Sequence, residues 1–76
     1  MQYPISDTQA AEIEKRFTYH APIGDQPVRY GLIRGAGKAL AETLSKLCPP
    51  SRELSLALTN LEQAIMWANA AIARHE

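Results

Sequence analysis

The sequence predicts an all-α fold, in which a short N-terminal helix precedes an antiparallel helical hairpin and the chain assembles as a homo-oligomer. Two segments, 27–47 and 51–75, carry apolar residues at helical spacing, and the linker between them is short enough to force an antiparallel turn. The chain has 76 residues, few for an independent core, yet 46% of them are hydrophobic. Association between copies is the remaining way to bury that surface, so residues 1–76 are interpreted as one hairpin domain.

Residues 1–26 are predicted to hold a short helix and an aromatic loop. Ser6-Asp7-Thr8-Gln9 matches a capping box, which predicts a helix from about Asp7 to Arg16. Glu12 and Arg16 lie four residues apart and are expected to pair on its surface. The alternative is a segment that becomes ordered only against a neighbour.

The loop after this helix is rich in aromatic side chains. Pro22 and Gly24 identify it as a loop, and Phe17 is expected to plug the open end of the hairpin. Tyr19 has two interpretations: it belongs to the same plug, or it stacks flat on a base while its hydroxyl forms a hydrogen bond. His20 is interpreted either as a solvated loop residue or as a site residue.

The first hairpin helix, 27–47, is predicted to begin after an Asp25 N-cap, with Pro27 in its first turn. Its apolar seam advances in alternating steps of three and four residues. The seam consists of Tyr30, Ile33, Gly37, Leu40, Leu44 and Leu47.

Two further glycines of this helix accompany two cations. Gly31 and Gly35 are expected on the same side as Arg34 and Lys38, away from the seam. One interpretation is that the glycines permit close packing between subunits while the cations point into water. The other is that bare backbone and two cations form a shallow anion-accepting floor at a subunit junction. The spacing of a phosphate-binding loop is absent.

The second hairpin helix, 51–75, follows Pro49-Pro50 and a predicted Ser51 N-cap. Its seam consists of Leu54, Leu58, Leu61, Ile65, Ala68 and Ile72. Leu56 and Trp67 fall together on a second apolar face, because each residue advances about 100° around the helix. One partner helix cannot cover both faces, so this helix is expected to pack within its own chain and against another copy.

A polar arc lies between these two faces, formed by Arg52, Ser55, Thr59, Glu62 and Asn69. Arg52 and Thr59 lie two turns apart along one line of the helix. A guanidinium and a hydroxyl in that arrangement suit a phosphate or a base edge, and the alternative is an ordinary solvated face.

Composition excludes several classes of function. Eight basic and eight acidic residues give a net charge of zero, whereas binding to long nucleic acids relies on a basic excess. No run of 18 apolar residues predicts a membrane span, and no Cys/His cluster has metal-ligand spacing. A cytoplasmic protein without a cofactor is expected, and no nucleophile-and-base grouping predicts an enzyme.

Residues 52–73, RELSLALTNLEQAIMWANAAIA, are similar to the hairpin domain shared by phage anti-CBASS protein two and Thoeris anti-defence protein one. The Arg, the Thr seven residues on, the Leu-x-Gln and the Met occupy matching places. Tyr19 followed fifteen residues later by Arg34, in the context GLIR, extends the resemblance to about residues 18–74.

This resemblance implies a hexameric, non-catalytic sponge that sequesters cyclic oligonucleotide immune signals. It implies that Tyr19 stacks on a base of a cyclic dinucleotide and that Arg34 of a neighbouring copy contacts a base or phosphate, while Arg52 and Thr59 belong to a separate cyclic trinucleotide site. Lys38 and His20 complete the expected ligand-binding residues. The alternatives are a sponge for a cyclic ADP-ribose-type signal and a helical protein-interaction module that uses Leu56 and Trp67.

Overall fold

The computed structural model describes residues 2–76 and contains three α-helices in that range. Helix α1 spans Asp7–Phe17, α2 spans Gln26–Leu47 and α3 spans Arg52–His75. No strand occurs in the described part of the chain. The predicted all-helical hairpin is confirmed: α2 and α3 pack against each other along their lengths, and α1 contacts the hairpin only slightly.

Two of the three predicted helix starts are formed by the expected caps. The Ser6 hydroxyl accepts from the Gln9 N–H at 3.1 Å, and the Gln9 side chain accepts from the Ser6 N–H at 2.9 Å, which completes the capping box of α1. The Ser51 hydroxyl accepts from the Leu54 N–H at 3.1 Å and starts α3 after the two prolines. On the surface of α1, Arg16 and Glu12 pair at 3.3 Å.

The start of α2 differs from the prediction. Asp25 does not cap the helix with its side chain, because its carboxylate accepts from Arg29 Nε at 3.2 Å instead. The Gln26 side-chain oxygen accepts from the Ile23 N–H at 3.0 Å and so ties the first residue of α2 to the loop before it. Gln26 is also one of the most buried residues of the chain, at 5% exposure.

Gln26 and Arg29 tie the start of α2 to the end of α3. Gln26 Nε2 donates to the Glu76 carboxylate at 3.4 Å, and Arg29 forms a bidentate pair with the same carboxylate, with one contact at 2.8 Å. Hydrogen bonds from Arg29 and then from Gln26 lower the pKa of Glu76 from 4.5 to about 2. The hydrogen bond to Glu76 likewise raises the pKa of Arg29.

The seam between α2 and α3 follows the predicted pattern over most of its length. All six predicted seam residues of α3 are half-buried, and so are Tyr30, Ile33 and Leu44 of α2. Leu40 and Leu47 were predicted on the seam but are 48% and 78% exposed. The reason is that the line along which α2 contacts α3 shifts gradually around α2, away from the side that carries Leu40. Ala41 is therefore half-buried, and Leu40 is exposed.

The closest approach of the two helices is at Gly37, which is buried. A Cβ atom placed on Gly37 would lie 2.8 Å from both Cγ1 and Cδ1 of Ile65, nearer than a carbon contact allows. A Cβ on Gly31 or Gly35 would meet nothing within 4 Å. Gly37 is therefore a packing residue, and the other two leave bare helix surface.

A single copy of this hairpin has no buried hydrophobic core within the described residues. Its accessible surface is 6355 Å², whereas a compact protein of this mass exposes about 4,600 Å². Its radius of gyration is 17.1 Å, against about 11 Å for a compact chain of this length. The extents, 49 × 39 × 13 Å, are those of a flat particle.

The prediction that Phe17 plugs the hairpin is wrong for the single chain, in which Phe17 is 84% exposed. The cause is the position of α1, which touches the hairpin only slightly and has no buried residue. Phe17 instead lines a shallow depression with Trp67, which is 64% exposed. Leu56, also assigned to the second face of α3, is 49% exposed.

Substitution of Gly37 tests the close approach. Gly31→Ala should stabilise the protein by about 1 kcal/mol, since alanine favours a helix over glycine. Gly37→Ala carries the same helix gain but overpacks against Ile65, so it should be about 1–3 kcal/mol less stable than Gly31→Ala. Denaturant unfolding at matched protein concentration measures the difference. Adding Ile65→Val, which removes Cδ1, should restore part of the loss; equal stability of the two alanine variants would contradict the packing role.

The Glu76 contacts predict a pH-dependent stability. Because the pKa of Glu76 is lower in the folded protein, its contribution is present above about pH 4.5 and is lost as the pH falls towards about 2. The melting temperature of Glu76→Gln should therefore lie below wild type at pH 7, and the gap should close in acid. Thermal unfolding from pH 7 to pH 2 measures it, with Glu42→Gln as the control. A gap independent of pH would show that charge on Glu76 plays no part.

Candidate ligand-binding groove

A groove runs between α2 and α3 on the side of the hairpin that carries Arg34 and Lys38. Its main depression has a volume of about 390 Å³. The floor is apolar and the rim is charged. The lining residues are Arg34, Gly37, Lys38, Ala41, Leu58, Leu61, Glu62, Ile65 and Met66.

A second depression of about 310 Å³ adjoins the first and extends towards the end of α3. It is lined by Tyr30, Arg34, Asn69, Ala70 and Ala73. Arg34 lines both depressions and therefore lies between them. We refer to the two together as the hairpin groove.

The placement of Arg34 and Lys38 corrects one sequence prediction. The two cations were expected beside Gly31 and Gly35, away from the seam, but they border the seam at Gly37. The reason is their angular position, since each lies between the glycine side of α2 and the helix contact. Among residues 2–76, neither cation forms an ion pair, although Glu62 lies on the same rim. The groove therefore combines an apolar floor with two unpaired positive charges, which suits a flat, apolar ligand that bears negative charge.

Tyr19 and His20 lie in the loop between α1 and α2. Tyr19 is 83% exposed, so both faces of its ring are accessible. His20 is half-buried, and its Nε2 lies 3.0 Å from the Lys15 carbonyl oxygen, where an N–H at that atom donates to the end of α1. This contact anchors the loop beside Tyr19.

Arg52 and Thr59 are exposed on α3, and neither lines the hairpin groove. Of the six predicted ligand-binding residues, one chain brings only Arg34 and Lys38 together. Tyr19 with His20, and Arg52 with Thr59, form separate places on the surface.

Asn69 lies on the predicted polar arc of α3, but the sequence pattern did not single it out as a candidate site residue. Its side-chain oxygen is buried and has no hydrogen-bond partner among the described residues. One sequence signal could have placed Asn69 beside the groove: it lies seven residues, or two turns, from Glu62, on the side of α3 that borders the groove.

Residues 2–76 contain neither a membrane-spanning helix nor a metal-ligand cluster. No helix in this range has both the length and the apolar character of a bilayer-spanning segment. Within the same range, no three His, Cys, Asp or Glu side chains gather in a way that would hold a metal ion.

Fold and groove together define a small helical-hairpin protein whose groove is bordered by two cations and whose apolar flanks are uncovered. The family model described as Acb2/Tad1, hairpin domain, matches residues 9–73, which is most of the chain. The chain therefore belongs to the Acb2/Tad1 hairpin-domain family, as the resemblance noted in the sequence implied. No match was found among curated proteins or among solved structures. Membership supports a sponge-type anti-defence role at the level of the family.

Proposed function

We propose that this protein is a non-catalytic sponge for cyclic oligonucleotide immune signals, cyclic dinucleotides first and cyclic trinucleotides second, and that it blocks bacterial anti-phage defence such as CBASS. The family match over residues 9–73 is the observation that carries this proposal. The mechanism is tight binding without cleavage, which withholds the signal from the host effectors that it would activate.

The hairpin groove supports a cyclic dinucleotide as the ligand. Such a molecule has two phosphates and two flat bases joined in a compact ring. Arg34 and Lys38, which have no carboxylate partner among residues 2–76, can each take a phosphate, and the guanidinium can bind two oxygens at once. The apolar floor around Leu61 and Ile65 can cover one face of a base.

The exposed Tyr19 supplies a further aromatic surface for stacking. Its 83% exposure leaves an aromatic ring uncovered on a loop anchored through His20. An aromatic ring that stacks on a base contributes about 1–3 kcal/mol to binding of single-stranded nucleic acids. We place the Tyr19 of one copy against a ligand held by Arg34 of a neighbour, and assign Arg52 and Thr59 to a separate cyclic trinucleotide site.

The uncovered surface supports assembly into a ring. One copy exposes about 1,700 Å² more than a compact protein of its mass, which is close to two standard interfaces of about 800 Å² per partner. Two interfaces on each copy are what a closed ring requires. The resemblance sets the number of copies that we propose at six, with Leu56 and Trp67 covered by a sister chain.

Calorimetric titration with a panel of ligands tests the proposed function. The panel contains cyclic dinucleotides, a cyclic triadenylate, cyclic ADP-ribose and a linear dinucleotide as the negative control. Tyr19→Ala and Arg34→Ala should each weaken cyclic dinucleotide binding by about 10-fold or more, through loss of stacking or of a charged contact. Arg52→Ala with Thr59→Ala should weaken only the cyclic trinucleotide.

The controls separate the site from general damage. Tyr19→Phe keeps the aromatic ring and should bind a cyclic dinucleotide nearly as tightly as wild type does. Arg16→Ala removes an exposed cation of α1 and should leave binding unchanged. Ligand released by heating should be chemically intact. Binding of no panel member would refute the proposal, binding of cyclic ADP-ribose alone would reassign the ligand, and cleaved ligand would indicate an enzyme.

Analytical ultracentrifugation tests the assembly. The wild-type protein should sediment well above the 8.4 kDa of one chain, and Leu56→Glu with Trp67→Glu should shift it towards the monomer, because a buried unpaired charge is costly. Ser55→Glu adds a single negative charge to another side of α3 and should leave the assembly intact. A well-folded wild-type monomer would contradict the proposed ring.

A further inference from the structure

The buried oxygen of Asn69 is the polar atom of the hairpin groove that the folded chain leaves unsatisfied. Asn69 lies on α3 opposite Tyr30 and Arg34, and its side-chain oxygen is enclosed without a hydrogen-bond partner in the described residues. Buried polar atoms are nearly always paired, and leaving one unpaired costs about 1–3 kcal/mol of stability. A residue that imposes such a cost in the empty protein is a candidate for a role in binding.

The surroundings of Asn69 indicate what its amide would meet. Ala70 and Ala73 line the same depression and offer no hydrogen-bonding side chain, while Arg34 provides a positive charge beside it. The terminal torsion of an Asn side chain is soft, so the amide can turn and present its oxygen to the depression. A ligand anchored by a phosphate on Arg34 would then place its neighbouring base against Asn69.

The chemistry of the amide indicates which base that is. A carboxamide presents one acceptor and one donor side by side, which matches the N6 amino group and the N7 acceptor of adenine. The same edge of guanine presents two acceptors, O6 and N7, and gives the Asn oxygen no donor to pair with. Guanine is therefore the poorer partner at this position.

We propose that Asn69 reads the adenine edge of the cyclic nucleotide, with Arg34 holding the adjacent phosphate. This inference rests on the proposed function and deepens it, because it names the base at one end of the groove and a specificity-determining residue. In the empty protein Asn69 lowers stability, and in the complex it selects the ligand.

The test combines a binding and a stability measurement on Asn69→Leu, which keeps the branched shape and the number of heavy atoms of the side chain and removes both polar atoms. Wild type should bind cyclic di-AMP about 10- to 100-fold more tightly than cyclic di-GMP, and Asn69→Leu should abolish most of that ratio. In the absence of ligand, the same variant should melt higher by about 4–8 °C, since no polar atom is then buried unpaired. Asn60→Leu, an exposed position on the opposite side of α3, is the matched control and should leave the ratio unchanged.

The outcomes separate this inference from the function on which it rests. Wild-type binding with an unchanged ratio in Asn69→Leu would overturn the role of Asn69 and leave the sponge proposal standing. A less stable Asn69→Leu with unaltered binding would overturn it too, and would assign Asn69 a structural partner in the assembly. Failure of wild type to bind either dinucleotide or any other cyclic nucleotide would overturn both.

Discussion

Two antiparallel helices share a single line of contact, and this limit governs the architecture of the protein. A helix buries an apolar stripe only where another element covers it, and stable domains usually place a second layer over the first. Here α2 and α3 cover each other along one stripe, and α1 contacts them only slightly. Seam residues such as Leu58 and Ile65 are half-buried as a result, and large side chains on the other faces stay exposed.

The close approach at Gly37 connects packing to the groove. Because Gly37 has no Cβ, α2 comes near to Ile65, and the longer side chains on either side then form the walls of a depression. Arg34 lies almost one turn before Gly37, and Lys38 directly follows it. The same glycine that weakens the helix as a local element thus creates the place where two cations border an apolar floor.

The features that the sequence predicts correctly are the ones that depend on interactions between neighbouring residues. The capping box at Ser6, the cap at Ser51 and the alternating seam each depend on residues within about one turn of one another. One failure is local: the Asp25 carboxylate pairs with Arg29, four residues on, and does not cap α2. The exposure of Phe17 has a different cause, because the position of α1 relative to the hairpin is not encoded in the periodicity of α1.

The candidate site was predictable only in part, for the same reason. Arg34 and Lys38 were identified from their spacing and from the family resemblance, but the groove they border depends on how far α2 turns towards α3. Asn69 carried no local indication of its unpaired oxygen, which arises only when the helices meet.

The hydrogen bonds around Glu76 connect the last turn of the hairpin to the aromatic loop. The Ile23 N–H donates to Gln26, and Gln26 in turn donates to the Glu76 carboxylate, 50 residues away along the chain. The loop that carries Tyr19 is therefore held to α2 by the Gln26 side chain, which also contacts the end of α3 through Glu76. Fraying of the final turn would loosen this fastening, so the position of the loop that carries Tyr19 is sensitive to the opposite end of the chain.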